Sequence, residues 1–220
     1  MTRCRRLATT LLAAAIGLGA ASAACAQGVR ITEWMYNADE FIEFTNLGAT
    51  AVDFAGWSFD DDSRTPGTVD LSAFGTVASG ESVILAEAPA ADFRAAWGLA
   101  PSIRVVGDNT TNLGRADEIN IYDAAAVLID RLTYGDNTVG GPRTQGTSGV
   151  PASPSVVGTN TVTQWQLSVL GTDGAIASTA GFIGSPGSTV LAPVPEPGTY
   201  ALMVGGLALL GVAARRRHAT

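Results

Sequence analysis

Apolar and polar residues alternate in short runs through the middle of the chain, which is typical of β-strands with one buried face. The sequence predicts strands over residues 29–36, 40–46, 56–59, 82–86, 104–106, 118–122 and 127–134, with turn-forming residues between most of them. The last two strands are separated by four residues and are predicted to form a hairpin. In this middle part of the chain, only residues 89–97 favour a helix, because Pro89 stands at its start and Gly98 at its end. This pattern favours an all-β fold of the antiparallel sandwich type.

An apolar run near the beginning of the chain does not follow the strand pattern. Three arginines precede residues 7–20, which are rich in Ala and Leu. The small residues Ala24 and Ala26 stand where a signal peptidase reads the chain. The sequence therefore predicts a signal peptide over residues 1–26, with Gln27 as the first exported residue; cleavage after Ala23 is an alternative. Signal peptidase and the secretion machinery are the implied partners.

A second apolar run, residues 198–214, carries no charge and is predicted to be a transmembrane helix. At about 1.5 Å per residue, this run barely spans a hydrocarbon core of ~30 Å. Arg215, Arg216 and Arg217 follow it and should remain in the cytoplasm. The helix would then hold the protein in the inner membrane, with everything before Pro195 outside the cytoplasm.

The apolar run is preceded directly by Val194, Pro195, Glu196 and Pro197, which are predicted to be extended because of the two prolines. The tail thus consists of an extended segment, an apolar helix and basic residues, in that order. Residues 194–220 resemble the PEP-CTERM sorting signal. The resemblance implies that an exosortase processes the tail and directs the protein to the cell surface and its exopolysaccharide matrix. A plain tail anchor behind a proline-rich linker is the alternative.

The charge of the exported part excludes several functions. Six of the 13 arginines lie in the two terminal segments, so seven remain against 20 acidic residues, a formal net charge of −13. An acidic surface repels phosphates, so nucleic acid is not a predicted partner. Both cysteines, Cys4 and Cys25, precede the exported part, and His218 is the only histidine. Catalytic triads and zinc sites that need these residues are therefore excluded, and no cofactor is predicted.

Several motifs recur in the order expected of one known domain. They are Ile31-x-Glu33-x-Met35-Tyr36-Asn37, the run over residues 39–46, the run over residues 52–57, and residues 117–123 and 129–135. Together they resemble the lamin-tail domain of bacterial secreted proteins. The resemblance implies an immunoglobulin-like β-sandwich over residues 27–135.

The remaining residues ahead of the tail fall into three predicted segments. Residues 136–162 are rich in Gly, Pro, Ser and Thr and are predicted to be a loop. Residues 163–187 contain a predicted strand at Trp165 and a Gly-Ser-Pro-Gly sequence, which together resemble the end of bacterial lamin-tail modules. This segment is expected to fold back onto the sandwich, and residues 188–193 to link it to the tail.

Three groups of residues are candidates for chemistry. Glu33, Glu40 and Glu43 could supply the carboxylates of a glycosidase, but their alternation with apolar residues predicts a solvent-facing strand surface. Asp60, Asp61 and Asp62 are weak candidates for calcium ligands, although a solvated turn explains the same run. The four tryptophans could stack on sugars, but each lies in an apolar stretch, which favours core packing.

The predicted function is that of a non-enzymatic surface protein, a structural or adhesive β-sandwich sorted to the envelope or the matrix. One alternative is a secreted hydrolase that uses carboxylates or a metal to act on matrix polymer. The other is a module that binds calcium or glycan.

Overall fold

The computed structural model describes residues 28–191. The predicted signal peptide, its cleavage residues Ala24, Ala26 and Gln27, and the predicted sorting tail over residues 194–220 lie outside this range. Within residues 28–191, no helix has the length and apolar character needed to cross a membrane.

The described residues form short strands, one α-helix and three single turns of 3-10 helix. The strands are β1 Val29–Met35, β2 Phe41–Asn46, β3 Val52–Asp53, β4 Ser58–Asp60, β5 Val69–Asp70, β6 Thr76–Val77, β7 Ser82–Ala86, β8 Arg104–Val106, β9 Ala116–Tyr122, β10 Leu128–Gly135, β11 Gly149–Pro151, β12 Trp165–Leu167, β13 Ile176–Ala177 and β14 Ile183–Gly184. The helix α1 is Ala90–Trp97, and the 3-10 turns are Ser72–Phe74, Pro154–Val156 and Val162–Gln164.

Most strands belong to two sheets. The larger has six strands in the order β12-β11-β1-β2-β7-β8, and the smaller has four in the order β10-β9-β4-β5. Neighbouring strands are antiparallel except β7 and β8, which are parallel. The pairs β3–β6 and β13–β14 form two further small sheets. A mostly β chain with antiparallel sheets agrees with the predicted sandwich.

One hydrophobic core receives side chains from both larger sheets, including Ile31 and Phe44 from the six-stranded sheet and Phe59 and Ile119 from the four-stranded sheet. Trp34 is fully buried, and its ring centroid lies 5.3 Å from that of Tyr134 on β10. Burial of such aromatic side chains contributes on the order of 1.5–3 kcal/mol each to folding.

The helix α1 packs on the opposite face of the six-stranded sheet. Met35, Phe41 and Ile84 on the sheet form a second apolar cluster with Phe93 and Trp97 on the helix. The rings of Phe41 and Phe93 are 5.5 Å apart and meet edge to face. The helix ends at Gly98, whose φ of 60° is the left-handed conformation that glycine adopts without cost. The predicted helix is therefore confirmed, and its apolar side covers part of the sheet.

The predicted hairpin is confirmed as β9 and β10, and Trp165 folds back onto the sandwich as expected. Its ring lies 5.0 Å from that of Trp34. Residues 136–162 differ from the prediction of a plain loop, because Gly149–Pro151 joins the six-stranded sheet between β1 and β12. A three-residue strand with one proline has too little apolar periodicity to be recognised in the sequence.

Candidate functional site

A pair of buried glutamates occupies the outer face of the six-stranded sheet. Glu33 on β1 lies directly opposite Glu43 on β2, and their side chains are 1% and 0% exposed. Glu40, just before β2, is only 6% exposed. The prediction that these three glutamates face solvent is therefore wrong. Alternation along a strand shows which residues share a face but does not show what covers that face.

The C-terminal part of the described chain covers the two glutamates. We call residues 182–188 the strap; they run over the outer face of the sheet beside α1. The N–H of Ser148 donates to the carbonyl of Ile183 at 2.8 Å, and the N–H of Ile183 donates to Gly146 at 3.0 Å. Phe182 packs against the apolar cluster of α1. The strap thus excludes water from a surface that would otherwise be open.

The strap also binds the two carboxylates. The N–H of Ser185 donates to Oε1 of Glu33 at 2.7 Å, and its hydroxyl donates to Oε2 at 2.8 Å. The N–H of Gly187 donates to Oε2 of Glu43 at 2.7 Å. From the sheet side, Ser148 donates its hydroxyl to Glu33, and Thr32 donates to Oε1 of Glu43 at 2.6 Å.

Burial makes both carboxyl groups weak acids. It raises the pKa of Glu33 to about 7, while hydrogen bonds from Ser148 and Ser185 oppose the shift. It raises the pKa of Glu43 to about 8, and the neighbouring charge of Glu33 adds to the effect. Burial also raises the pKa of Glu40 to about 8, although the N–H of Leu113 donates to this carboxylate at 2.8 Å. A glycosidase pair must flank a substrate bond, whereas Glu33 and Glu43 lie beneath the strap.

The three consecutive aspartates do not act together. Asp60, on β4, accepts from the hydroxyl of Ser63 at 2.7 Å and the N–H of Thr65 at 2.5 Å. Burial acts to raise the pKa of Asp60, but the hydrogen bonds together outweigh it and lower the pKa. Asp61 and Asp62 instead meet Asp117 of β9, and one oxygen from each of the three lies within 4.8 Å of the others. Asp117 is distant in sequence, so the run of aspartates alone did not indicate it.

A buried tyrosine hydroxyl lies near this aspartate cluster. Tyr134 is 2% exposed, and its hydroxyl has no hydrogen-bond partner among the described residues. Burial raises the pKa of Tyr134, and the charges of Asp117, Glu40 and Asp61 add to the shift. Burial likewise raises the pKa of Asp117, with contributions from Asp62 and Asp61. Tyr134 lies opposite Asp117 in the pairing of β10 with β9, which accounts for the effect of Asp117 on this hydroxyl.

The four tryptophans are all buried. Trp34 and Trp165 belong to the core between the sheets, as does Trp57, and Trp97 belongs to the cluster under α1. The expectation of core packing is confirmed for these rings. None of them presents an open face on which a sugar could stack.

Comparison with known proteins agrees with the geometry. The family model of the Lamin Tail Domain matches residues 22–136, more than half of the chain. The model of the PEP-CTERM protein-sorting motif matches residues 193–217, which include Pro195, Glu196 and Pro197 and the arginines at 215–217. This motif implies export, recognition by exosortase and targeting to the cell envelope. A search of curated proteins finds no match. The chain belongs to the Lamin Tail Domain family, and a PEP-CTERM protein-sorting motif follows its domain.

Proposed function

We propose that this protein is a non-enzymatic surface module, a β-sandwich that exosortase sorts to the cell envelope or the exopolysaccharide matrix for a structural or adhesive role. The observation that carries the proposal is the position of the sorting motif. The Lamin Tail Domain match covers residues 22–136, and the sorting-motif match begins at residue 193. The whole sandwich is thus placed ahead of the tail by which it would be sorted.

The chemistry of the domain supports a role without catalysis. The exported part contains no histidine and no cysteine, so the usual nucleophile and base pairs cannot form there. Within residues 28–191, Glu33 and Glu43 are bound by the strap, and Glu118 is paired with Arg64 at 2.7 Å. These carboxylates already have structural partners, which leaves them poorly placed for general acid and base work.

The proposed route has four steps. The secretion machinery exports the chain, and signal peptidase cleaves after Ala26 to leave Gln27 first. The apolar helix over residues 198–214 then holds the protein in the inner membrane while Arg215, Arg216 and Arg217 remain inside. Exosortase recognises Pro195-Glu196-Pro197 and transfers the domain outwards.

Replacement of Pro195, Glu196 and Pro197 by alanine tests this proposal. The variant should stay in the inner membrane with an intact C-terminus, whereas the parent should reach the surface or matrix fraction with a shortened chain. Cell fractionation and intact-mass measurement distinguish the two results. Thr189→Ala, outside the motif, is the matched control and should behave like the parent. The same location and the same intact mass for parent and triple variant would leave a plain tail anchor.

A second candidate function, calcium binding, is favoured by the meeting of Asp61, Asp62 and Asp117. Calcium takes six to eight oxygen ligands from flexible loops, and water can supply those that carboxylates do not.

Isothermal titration calorimetry with calcium tests this second candidate. We expect saturable heat and a higher melting temperature for the parent, and neither for the double variant Asp61→Asn and Asp62→Asn. Asp92→Asn, on the exposed side of α1, is the control and should bind like the parent. A parent that shows no heat and no change in melting temperature at millimolar calcium would exclude the site.

A further inference from the structure

Two positions of the strap, Gly184 and Gly187, leave little room for any side chain. A Cβ atom on Gly184 would lie 3.0 Å from Oε1 of Glu33 and 3.1 Å from the ring of Trp97. Gly187 has a φ of 80°, and a Cβ there would lie 2.8 Å from Ile103. The two glycines therefore let the backbone approach the sheet closely enough for its N–H groups to reach the buried carboxylates.

No basic side chain neutralises the glutamate pair among the contacts of the described residues. The strap, β7, β11 and β12 contain no charged residue. The basic residues of the other elements nearby bind other groups: Arg30 on β1 donates to the carbonyls of Val29 and Ile129, Arg94 on α1 donates to the carbonyl of Ile103, and Arg104 on β8 pairs with Glu81. The other charged residues nearby are acidic. They are Asp92 on α1 and Asp173, which lines a small cavity with Glu33. Within the described part of the chain, this buried charge is therefore compensated by hydrogen bonds alone, which Ser185 and Gly187 of the strap donate together with Ser148 and Thr32.

The strap is also the covalent path to the sorting motif. It is followed by Thr189, Val190 and Leu191, and Leu191 is itself buried. Within the predicted linker over residues 188–193, Leu191 is thus packed on the domain, whereas Val190 is 66% exposed. If residues 182–191 detached from the sheet, the free chain between domain and tail would grow by roughly 30 Å, at about 3.3 Å per residue.

We propose that Glu33 and Glu43 form a proton-dependent latch that holds the strap on the domain and so controls how far the sorting tail can extend. When at least one of the two carboxyl groups is protonated, the pair is a compact, hydrogen-bonded seat for Ser185 and Gly187. When both carboxyl groups are ionised, two like charges face each other without a cation, and hydration favours an open strap. The role of the tail in this mechanism rests on the proposed function, while the latch rests on the domain alone.

The direction of the pH effect follows from the raised pKa values. The closed domain binds protons more tightly than the open one, so closure is favoured most below pH 4.5, the ordinary pKa of glutamate. Closure weakens as the pH rises through about 7 and 8, the pKa values of Glu33 and Glu43 when the strap is closed. The latch therefore opens towards alkaline pH.

Hydrogen exchange measured by mass spectrometry on the full chain in detergent tests the latch. We expect the protection of a peptide covering residues 182–190, corrected for intrinsic exchange, to fall by about tenfold or more between pH 6 and pH 9. In Glu43→Gln the fall should be at most about a third as large on a logarithmic scale, because one of the two charges is absent. Protection in the parent that does not change with pH would overturn the latch.

Glu40→Gln is the matched control, because this glutamate is also buried, also has a pKa of about 8, and binds Leu113 rather than the strap. Its strap should open with pH as in the parent; an equal loss of pH dependence would mean a general effect of buried charge. Ser185→Ala keeps both glutamates and removes one hydroxyl, and it should lower strap protection at pH 6. Unchanged protection in Ser185→Ala would likewise argue against the latch.

The latch and the sorting proposal fail in different experiments. The exchange measurement uses purified protein without exosortase, so its outcome does not depend on where the protein is sorted. The fractionation of the Pro195, Glu196 and Pro197 variant is done in cells and does not depend on strap opening.

Discussion

At the scale of single residues, Glu33 and Glu43 differ most from their ordinary chemistry. A bulge at Thr32 shifts the register of β1, so that Ile31 and Trp34 enter the core while Glu33 points to the outer face beside Glu43. The strap then removes both carboxylates from water. Their raised pKa values mean that the folded state carries a free-energy cost when both groups are ionised.

Glu43→Gln should stabilise the domain at pH 9 and change it little at pH 5. The amide oxygen of glutamine can still accept the hydrogen bond from Gly187, while the cost of burying a charge disappears. We expect a gain on the order of 2 kcal/mol at pH 9, measured by urea unfolding at both pH values. Equal midpoints for parent and variant at pH 9 would contradict this account.

Glu118→Gln provides the opposite case on the four-stranded sheet. Arg64 donates to Glu118 through two nitrogens, both at 2.7 Å, and this contact lowers the pKa of Glu118 to about 2. The stability from this group is present above pH 4.5 and is lost as the pH falls towards 2. We expect Glu118→Gln to lower the free energy of unfolding by about 1–2 kcal/mol at pH 7. Near pH 2 the variant and the parent should have the same free energy of unfolding, which the same urea experiments measure.

At the scale of elements, the outer face of the six-stranded sheet depends on two covers of different kinds. The helix α1 contributes apolar burial through Phe93 and Trp97. The strap contributes backbone hydrogen bonds, because its close approach leaves no room for a side chain at Gly184. An enlarged residue at this glycine should therefore affect the strap more than the sandwich.

Gly184→Ala should lower stability by about 1–3 kcal/mol, since the new methyl group would press on Glu33 and Trp97. Thermal unfolding measures the loss, and hydrogen exchange should locate it in residues 182–190. Gly181→Ala is the neighbouring control: its φ of 85° gives strain, but no atom lies within 4 Å of the added carbon. A larger effect for Gly181→Ala than for Gly184→Ala would show that strain rather than contact matters here.

At the scale of the whole molecule, an acidic sandwich precedes a sorting motif with little chain between them. Residues 27–196 have a formal net charge of −13, so they are repelled by an anionic lipid surface and by phosphate polymers. The buried Leu191 shortens the free segment ahead of residue 193. The distance from domain to tail is therefore set by how the strap packs as well as by the number of residues.

The mature chain should begin at Gln27. Ala24→Leu places a large side chain where signal peptidase requires a small one, so processing should be strongly reduced and a longer chain should accumulate. Intact-mass measurement or N-terminal sequencing of exported protein would show this. Ser22→Leu, outside the two small-residue positions, is the control and should be processed normally. Normal processing of Ala24→Leu would place the cleavage site elsewhere.

Sequence alone determined the β class, the helix α1, the hairpin of β9 and β10, and the sorting motif. These features depend on residues close together in the chain, through alternation, turn residues and the order of apolar and basic segments. The return of Trp165 to the core was implied by the resemblance of residues 163–187 to the end of bacterial lamin-tail modules.

Only the tertiary structure decided what covers the outer face of the sheet and which acidic residues meet. Glu33 is joined to Ser185 and Asp61 to Asp117 across large separations in sequence, so no local pattern contains these contacts. The strand Gly149–Pro151 exists because β1 and β12 lie on either side of it. Desolvation depends on all surrounding atoms at once, and for this reason the weak acidity of the glutamates could emerge only from the folded chain.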